Sequence, residues 1–117
     1  MYMTTIERII ALASGLGWQV TTQKKKRYLV EFEFQQYTKM GQDFNFCAVM
    51  KGNDINSLIE NIEEYYEGFD PDYEAYLWIG TDGHGKNGAP YHIKDIVSDM
   101  EEVETMIDKL CERLKTL

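Results

Sequence analysis

Between Gly52 and Lys86 the chain contains no lysine or arginine, although residues 53–83 carry nine carboxylates: Asp54, Glu60, Glu63, Glu64, Glu67, Asp70, Asp72, Glu74 and Asp82. The missing countercharge excludes this stretch as a contact for phosphate backbones or anionic lipid, because such binding draws on Lys and Arg displacing counterions. Cysteine is scarce as well. Cys47 and Cys111 are the only two and have no CxxC spacing, which argues against a disulfide scaffold and fits a reducing, cytoplasmic setting. No apolar run approaches the ~18 to 20 residues needed to span a bilayer. Glu7 and Arg8 interrupt the first ten residues, so that segment does not read as a signal peptide. Internal repeats and low-complexity tracts are also missing.

What is present suits one folded domain over residues 1–117, with 44% hydrophobic and 13% aromatic residues. Its charge is divided. Residues 1–52 hold seven basic and four acidic residues, net +3, and residues 53–117 hold five and sixteen, net -11. The total of -8 directs encounters toward cationic partners and away from nucleic acid and membrane.

Ile6, Ile9, Ile10 and Ala13 recur at helical spacing behind Thr4 and Thr5, predicting a first helix over about residues 5–14. Trp18, Val20 and Thr22 alternate up to the run Lys24, Lys25, Lys26 and Arg27, which reads as a short strand and a charged turn. In residues 28–37, Tyr28, Val30, Phe32 and Phe34 fall on one face and Glu31, Glu33 and Gln35 on the other. A Gly41 turn and a third strand bearing Phe44, Phe46, Ala48 and Met50 follow, pairing with the second as a hairpin.

Asn53 or Asp54 caps a helix whose apolar stripe is Ile55, Leu58, Ile59, Ile62 and Tyr66, ending at Gly68. Asp70-Pro71-Asp72 starts another short helix, preferred over a strand for Tyr73 to Ile79. Met100, Val103, Ile107, Leu110, Leu114 and Leu117 form a 3,4 seam in a long final helix, with Ser98 and Glu101 in capping-box spacing. The expected fold class is α+β: a three-stranded antiparallel meander with helices mainly on the Val30, Phe32, Phe34, Phe44, Phe46 and Met50 face, in the order αβββα(α)α.

Residues 80–90 contain Gly80, four further residues and then Gly85-Lys86, the spacing of a phosphate-binding loop. Asn87 stands where a Ser or Thr should reach magnesium, and Gly88-Ala89-Pro90 interrupts the helix that should receive the phosphate. His84 and His92 with Asp82 and Asp95 lack fixed ligand spacing for a metal. Cys47 has no base beside it in the strand pattern to make it a nucleophile. No catalytic residue, cofactor site or metal site emerges, and a non-enzymatic role is expected.

The order helix, strand, strand, strand, helix over residues 5–67 is similar to that of double-stranded RNA-binding domains. The second helix departs from that family's basic opening: it begins Asp54-Ile55-Asn56-Ser57-Leu58 and continues with glutamates that would repel RNA. Gly41-Gln42-Asp43-Phe44 and Tyr76-Leu77-Trp78 through Gly83-His84-Gly85-Lys86-Asn87-Gly88-Ala89-Pro90-Tyr91 resemble segments of small acidic proteins on bacterial plasmids and conjugative elements. That resemblance brings no activity with it and implies a mobile-element setting, where small acidic proteins that block host defences also occur.

Two functional expectations follow. The first is an acidic interaction protein in which Glu60, Glu63, Glu64, Glu67, Asp70, Asp72 and Glu74 bind a basic protein surface, including the case of a nucleic-acid mimic acting on a host defence or nucleic-acid-handling protein. The second is a small-ligand or peptide module on the glycine-rich loop, using Trp78, Asp82, His84, Lys86, Asn87 and Tyr91. The tail seam leaves a monomer and a homodimer through the final helix both open.

Overall fold

Alternating apolar residues make the central strand, and it organises the rest. The computed structural model describes residues 3–77 and 93–117. Strands β1 (Gln19–Lys26), β2 (Leu29–Tyr37) and β3 (Asp43–Lys51) form one antiparallel sheet in the order β1-β2-β3. Four helices complete the α+β fold: α1 (Thr5–Gly15), α2 (Ile55–Glu67), α3 (Pro71–Leu77) and α4 (Ile93–Leu114).

Phe32 and Phe34 on β2 lie opposite Ala48 and Phe46 on β3, and all four are buried beneath the helices. Trp18 meets Phe34 and Phe46 edge-on, and Phe46 stacks on Tyr65 of α2 with centroids 4.8 Å apart. Truncating one such phenylalanine to alanine would cost about 3 to 5 kcal/mol through lost burial and the cavity left behind. Glu33, Asn45 and Cys47 are exposed on the other face.

The starts of α1, α2 and α3 show their chemical cause. Glu7 N–H donates to Thr4 Oγ1, and Thr4 N–H donates back to Glu7 Oε1, both at 3.1 Å, closing a capping box on α1. Asp54 Oδ1 accepts the Asn56 N–H at 3.1 Å to begin α2. Asp70 Oδ1 accepts the Asp72 N–H at 3.0 Å ahead of α3. Between α1 and β1 the backbone turns through Gly17 at φ 97°, and a Cβ there would fall inside the Gln36 amide. The Gln36 Nε2 group donates to the Leu16 carbonyl at 3.4 Å, so this crossing depends on glycine for both conformation and space.

Three local expectations are corrected. Lys24, Lys25 and Lys26 belong to β1 rather than to a turn: Lys24 pairs with Val30 and Lys26 with Leu29, across a register shift. Cross-strand pairing overrides their weak strand preference. Tyr28 leaves the apolar face and stands 65% exposed in the turn, with the Arg27 guanidinium 5.4 Å from its ring centroid. Ser98 and Glu101 do not open the last helix, because α4 already runs from Ile93 with Asp95 in its first turn.

The seam of α4 is buried within its own fold. Met100, Val103, Ile107, Leu110 and Leu114 have no exposed surface, whereas Leu117 beyond the helix is 37% exposed. These five side chains have no face left for a second copy. Among the described residues, no helix is long and apolar enough to cross a membrane.

Candidate functional site

Glu60, Glu63, Glu64 and Glu67 fall at i, i+3, i+4 and i+7 on one face of α2, but the two edges of that face border different recesses. Glu60 and Glu64 border a recess beside β3 that also includes Lys51, Ser57 and Asn61. Glu63 and Glu67 turn instead toward α4, where Tyr66, Asp108, Cys111, Glu112 and Lys115 complete a shallow groove of about 200 Å³.

Antiparallel packing of α2 and α4 creates this groove. The Cys111 thiol lies 4.0 Å from the Ile59 carbonyl, Glu63 lies near the end of α4, and Tyr66 sits beside Asp108 and Glu104. The phenol of Tyr66 is pushed above its ordinary range first by the Asp108 carboxylate, then by burial, and then by Glu104. Burial raises the Cys111 thiol, with Glu63 adding to it. Both shifts mark a local negative potential.

Lys115 is the cation inside this field. Its Nζ lies 3.1 Å from Glu112 Oε1 and 3.7 Å from Glu63 Oε1, and the hydrogen bond to Glu112, followed by the charges of Glu112 and Glu63, raises its pKa. Glu63, Glu67, Glu104, Asp108 and Glu112 thus set five carboxylates against one ammonium. Glu104 to Lys115 covers about 16 Å of helix axis, so the net charge is about one per 4 Å, comparable with the ~3.4 Å per charge of a single nucleic-acid strand.

The remaining expected residues lie elsewhere. Asp70 caps α3 and Asp72 is exposed in its first turn. Glu74 is half-buried, and its carboxyl is raised by burial and then by the Asp70 charge. Tyr65 nearby is raised by burial and then by Glu74. Trp78, Asp82, His84, Lys86, Asn87 and Tyr91 lie outside the described residues. Sequence reasoning missed Glu104, Asp108 and Glu112. Their four-residue spacing beside the apolar seam was the available signal, and it required knowing that α2 packs there.

The lysines of β1 do not neutralise the groove: Lys25 pairs with Glu31 on the sheet at 3.5 Å. Among the described residues, no group of three or more His, Cys, Asp and Glu is arranged to hold a metal ion. The groove and the recess beside β3 measure about 200 and 270 Å³, below the ~300 Å³ at which small-molecule pockets begin. No protein-family model, curated protein or solved structure matches the chain.

Proposed function

We propose that this is a non-enzymatic interaction protein whose α2–α4 groove receives a lysine- or arginine-bearing segment of a partner protein, with the groove imitating a nucleic-acid strand. The observation that carries the reading is the convergence of Glu63 and Glu67 with Asp108 and Glu112 around Tyr66. Glu63 and Glu112 are close enough to share the Lys115 ammonium, at 3.7 and 3.1 Å, and carboxylates this near one another are little screened at physiological salt, where the Debye length is ~8 Å. Tyr66 supplies an aromatic surface for an arginine or lysine side chain.

In this reading the partner is a host defence or nucleic-acid-handling protein met in a bacterial mobile-element setting, and its phosphate-binding cleft is what the groove occupies. Glu60 and Glu64 contribute to attraction at a distance but not to the contact.

The test compares Glu63→Gln/Glu67→Gln/Asp108→Asn/Glu112→Gln with Glu60→Gln/Glu64→Gln in capture of cellular proteins at low and high salt. The groove variant should lose salt-sensitive capture while the other pair retains most of it. Equal capture by the groove variant and the unaltered protein would dispose of the proposal.

A further inference from the structure

The two edges of the sheet differ. On β3, Val49 N–H donates to Asn61 Oδ1 at 2.9 Å and Lys51 N–H donates to Ser57 Oγ at 2.8 Å. Side chains of α2 therefore cap the outward N–H groups of that strand's last three residues. β1 has eight residues, seven of them exposed. Among the described residues, its backbone makes hydrogen bonds only to β2. An unpaired strand of this length presents a row of amide and carbonyl groups that can accept another chain.

The flanks of β1 are suited to alternating side chains. Thr22 and Lys24 lie opposite Phe32 and Val30, on the face that the helices cover elsewhere, yet both are exposed. Beside them a recess of about 230 Å³ has Ile6, Leu29 and Val30 in its walls and is rimmed by Lys24, Lys26 and Arg27. Across the sheet a recess of about 240 Å³ is lined by Thr21, Gln23, Glu31 and Glu33. A strand laid along β1 would direct successive side chains to these two faces in turn.

Charge selects the occupant. Of residues 24–27, Lys25 is held by Glu31 at 3.5 Å, while Lys24, Lys26 and Arg27 have no ion pair among the described residues. A second copy of β1 would bring four more cations to the same edge and be repelled. The lysines that keep copies apart would draw in an acidic strand. The register shift between Lys24 and Lys26 confines regular pairing to residues 19–24.

We propose that the outer edge of β1, unpaired among the described residues, takes an extended acidic peptide segment as a fourth strand, with carboxylates over Lys24, Lys26 and Arg27. This surface is separate from the α2–α4 groove, and neither proposal depends on the other.

The probe is an acetylated, amidated octapeptide alternating Glu with Thr and Val, titrated into the full chain and followed by amide NMR shifts and hydrogen exchange. Shifts should concentrate in residues 19–26 and slowed exchange in residues 19–24, and Lys24→Glu/Lys26→Glu/Arg27→Glu should weaken binding about tenfold or more. The same peptide N-methylated at alternate amides keeps its charge but cannot pair, and should not bind. Equal binding of that peptide, no response to the octapeptide, or shifts centred on the helices would overturn the proposal. A concentration-dependent dimer abolished by Thr22→Pro in sedimentation would assign the edge to a second copy and overturn it as well.

Discussion

Asp99, in the second turn of α4, accepts a hydrogen bond from the Thr38 hydroxyl, 61 residues earlier in the chain. Both side chains are buried, and the Thr38 Oγ1 also accepts the Gln42 N–H at 3.0 Å. The contact ties the β2–β3 turn to the last helix at its polar centre. Among the described residues, neither polar atom of the Gln42 side-chain amide has a partner, nor does Asp99 Oδ1, so this cluster has little hydrogen bonding to spare.

Thr38→Val should therefore destabilise the fold by about 1 to 3 kcal/mol, because it removes the hydroxyl and leaves a buried carboxyl group unpartnered. Thr38→Ser should recover most of that loss. Urea unfolding of the two variants checks the prediction.

Glu74 supplies a pH prediction. Burial and Asp70 raise its folded pKa above the ordinary 4.5, so its contribution to stability is fully present below the unfolded pKa and is lost as pH rises through the folded value. At pH 7, Glu74→Gln should stabilise the protein, by less than about 1 kcal/mol after solvent screening. The advantage should disappear below about pH 4.5. Thermal melts at both pH values test this.

The two thiols should react differently. Cys47 is exposed, whereas Cys111 is buried. Cys47 is raised above its ordinary pKa by burial and then by Glu31 and Glu33, so alkylation should be slow at neutral pH and quicken as pH rises. Glu31→Gln/Glu33→Gln should speed it severalfold. Cys111 should remain protected until the chain unfolds. Mass spectrometry of alkylated peptides distinguishes the two sites.

Lys115 bears on the groove directly. If cationic segments bind there, Lys115→Gln removes the ammonium between Glu63 and Glu112 and should tighten binding of an oligo-arginine peptide a fewfold at low salt. The gain should fade at high salt. Weaker or unchanged binding by calorimetry would speak against the groove.

The sheet and helices were legible where hydrophobic period and secondary structure agree. Phe32 and Phe34 alternate cleanly, Leu58, Ile59 and Ile62 make a stripe, and Met100 to Leu114 repeats at 3 and 4; all are buried as that pattern demands. Lys24 to Lys26 were misread because a polar strand has no apolar alternation, and their pairing partner lies across the hairpin. Ser98 misled because a capping-box spacing also occurs inside helices. The groove was half visible: Glu63 and Glu67 belong to the acidic stretch, but Asp108 and Glu112 lie far along the chain. Only the antiparallel meeting of α2 and α4 makes them neighbours.

The seal that Asn61 and Ser57 place on β3 has a consequence for assembly. At the Val49–Lys51 end of β3 both outward N–H groups are already taken, so a strand docking there would have to displace α2 side chains. A peptide laid on β1 would carry an outer backbone row of its own, so the seal on β3 limits growth from that end of β3 alone.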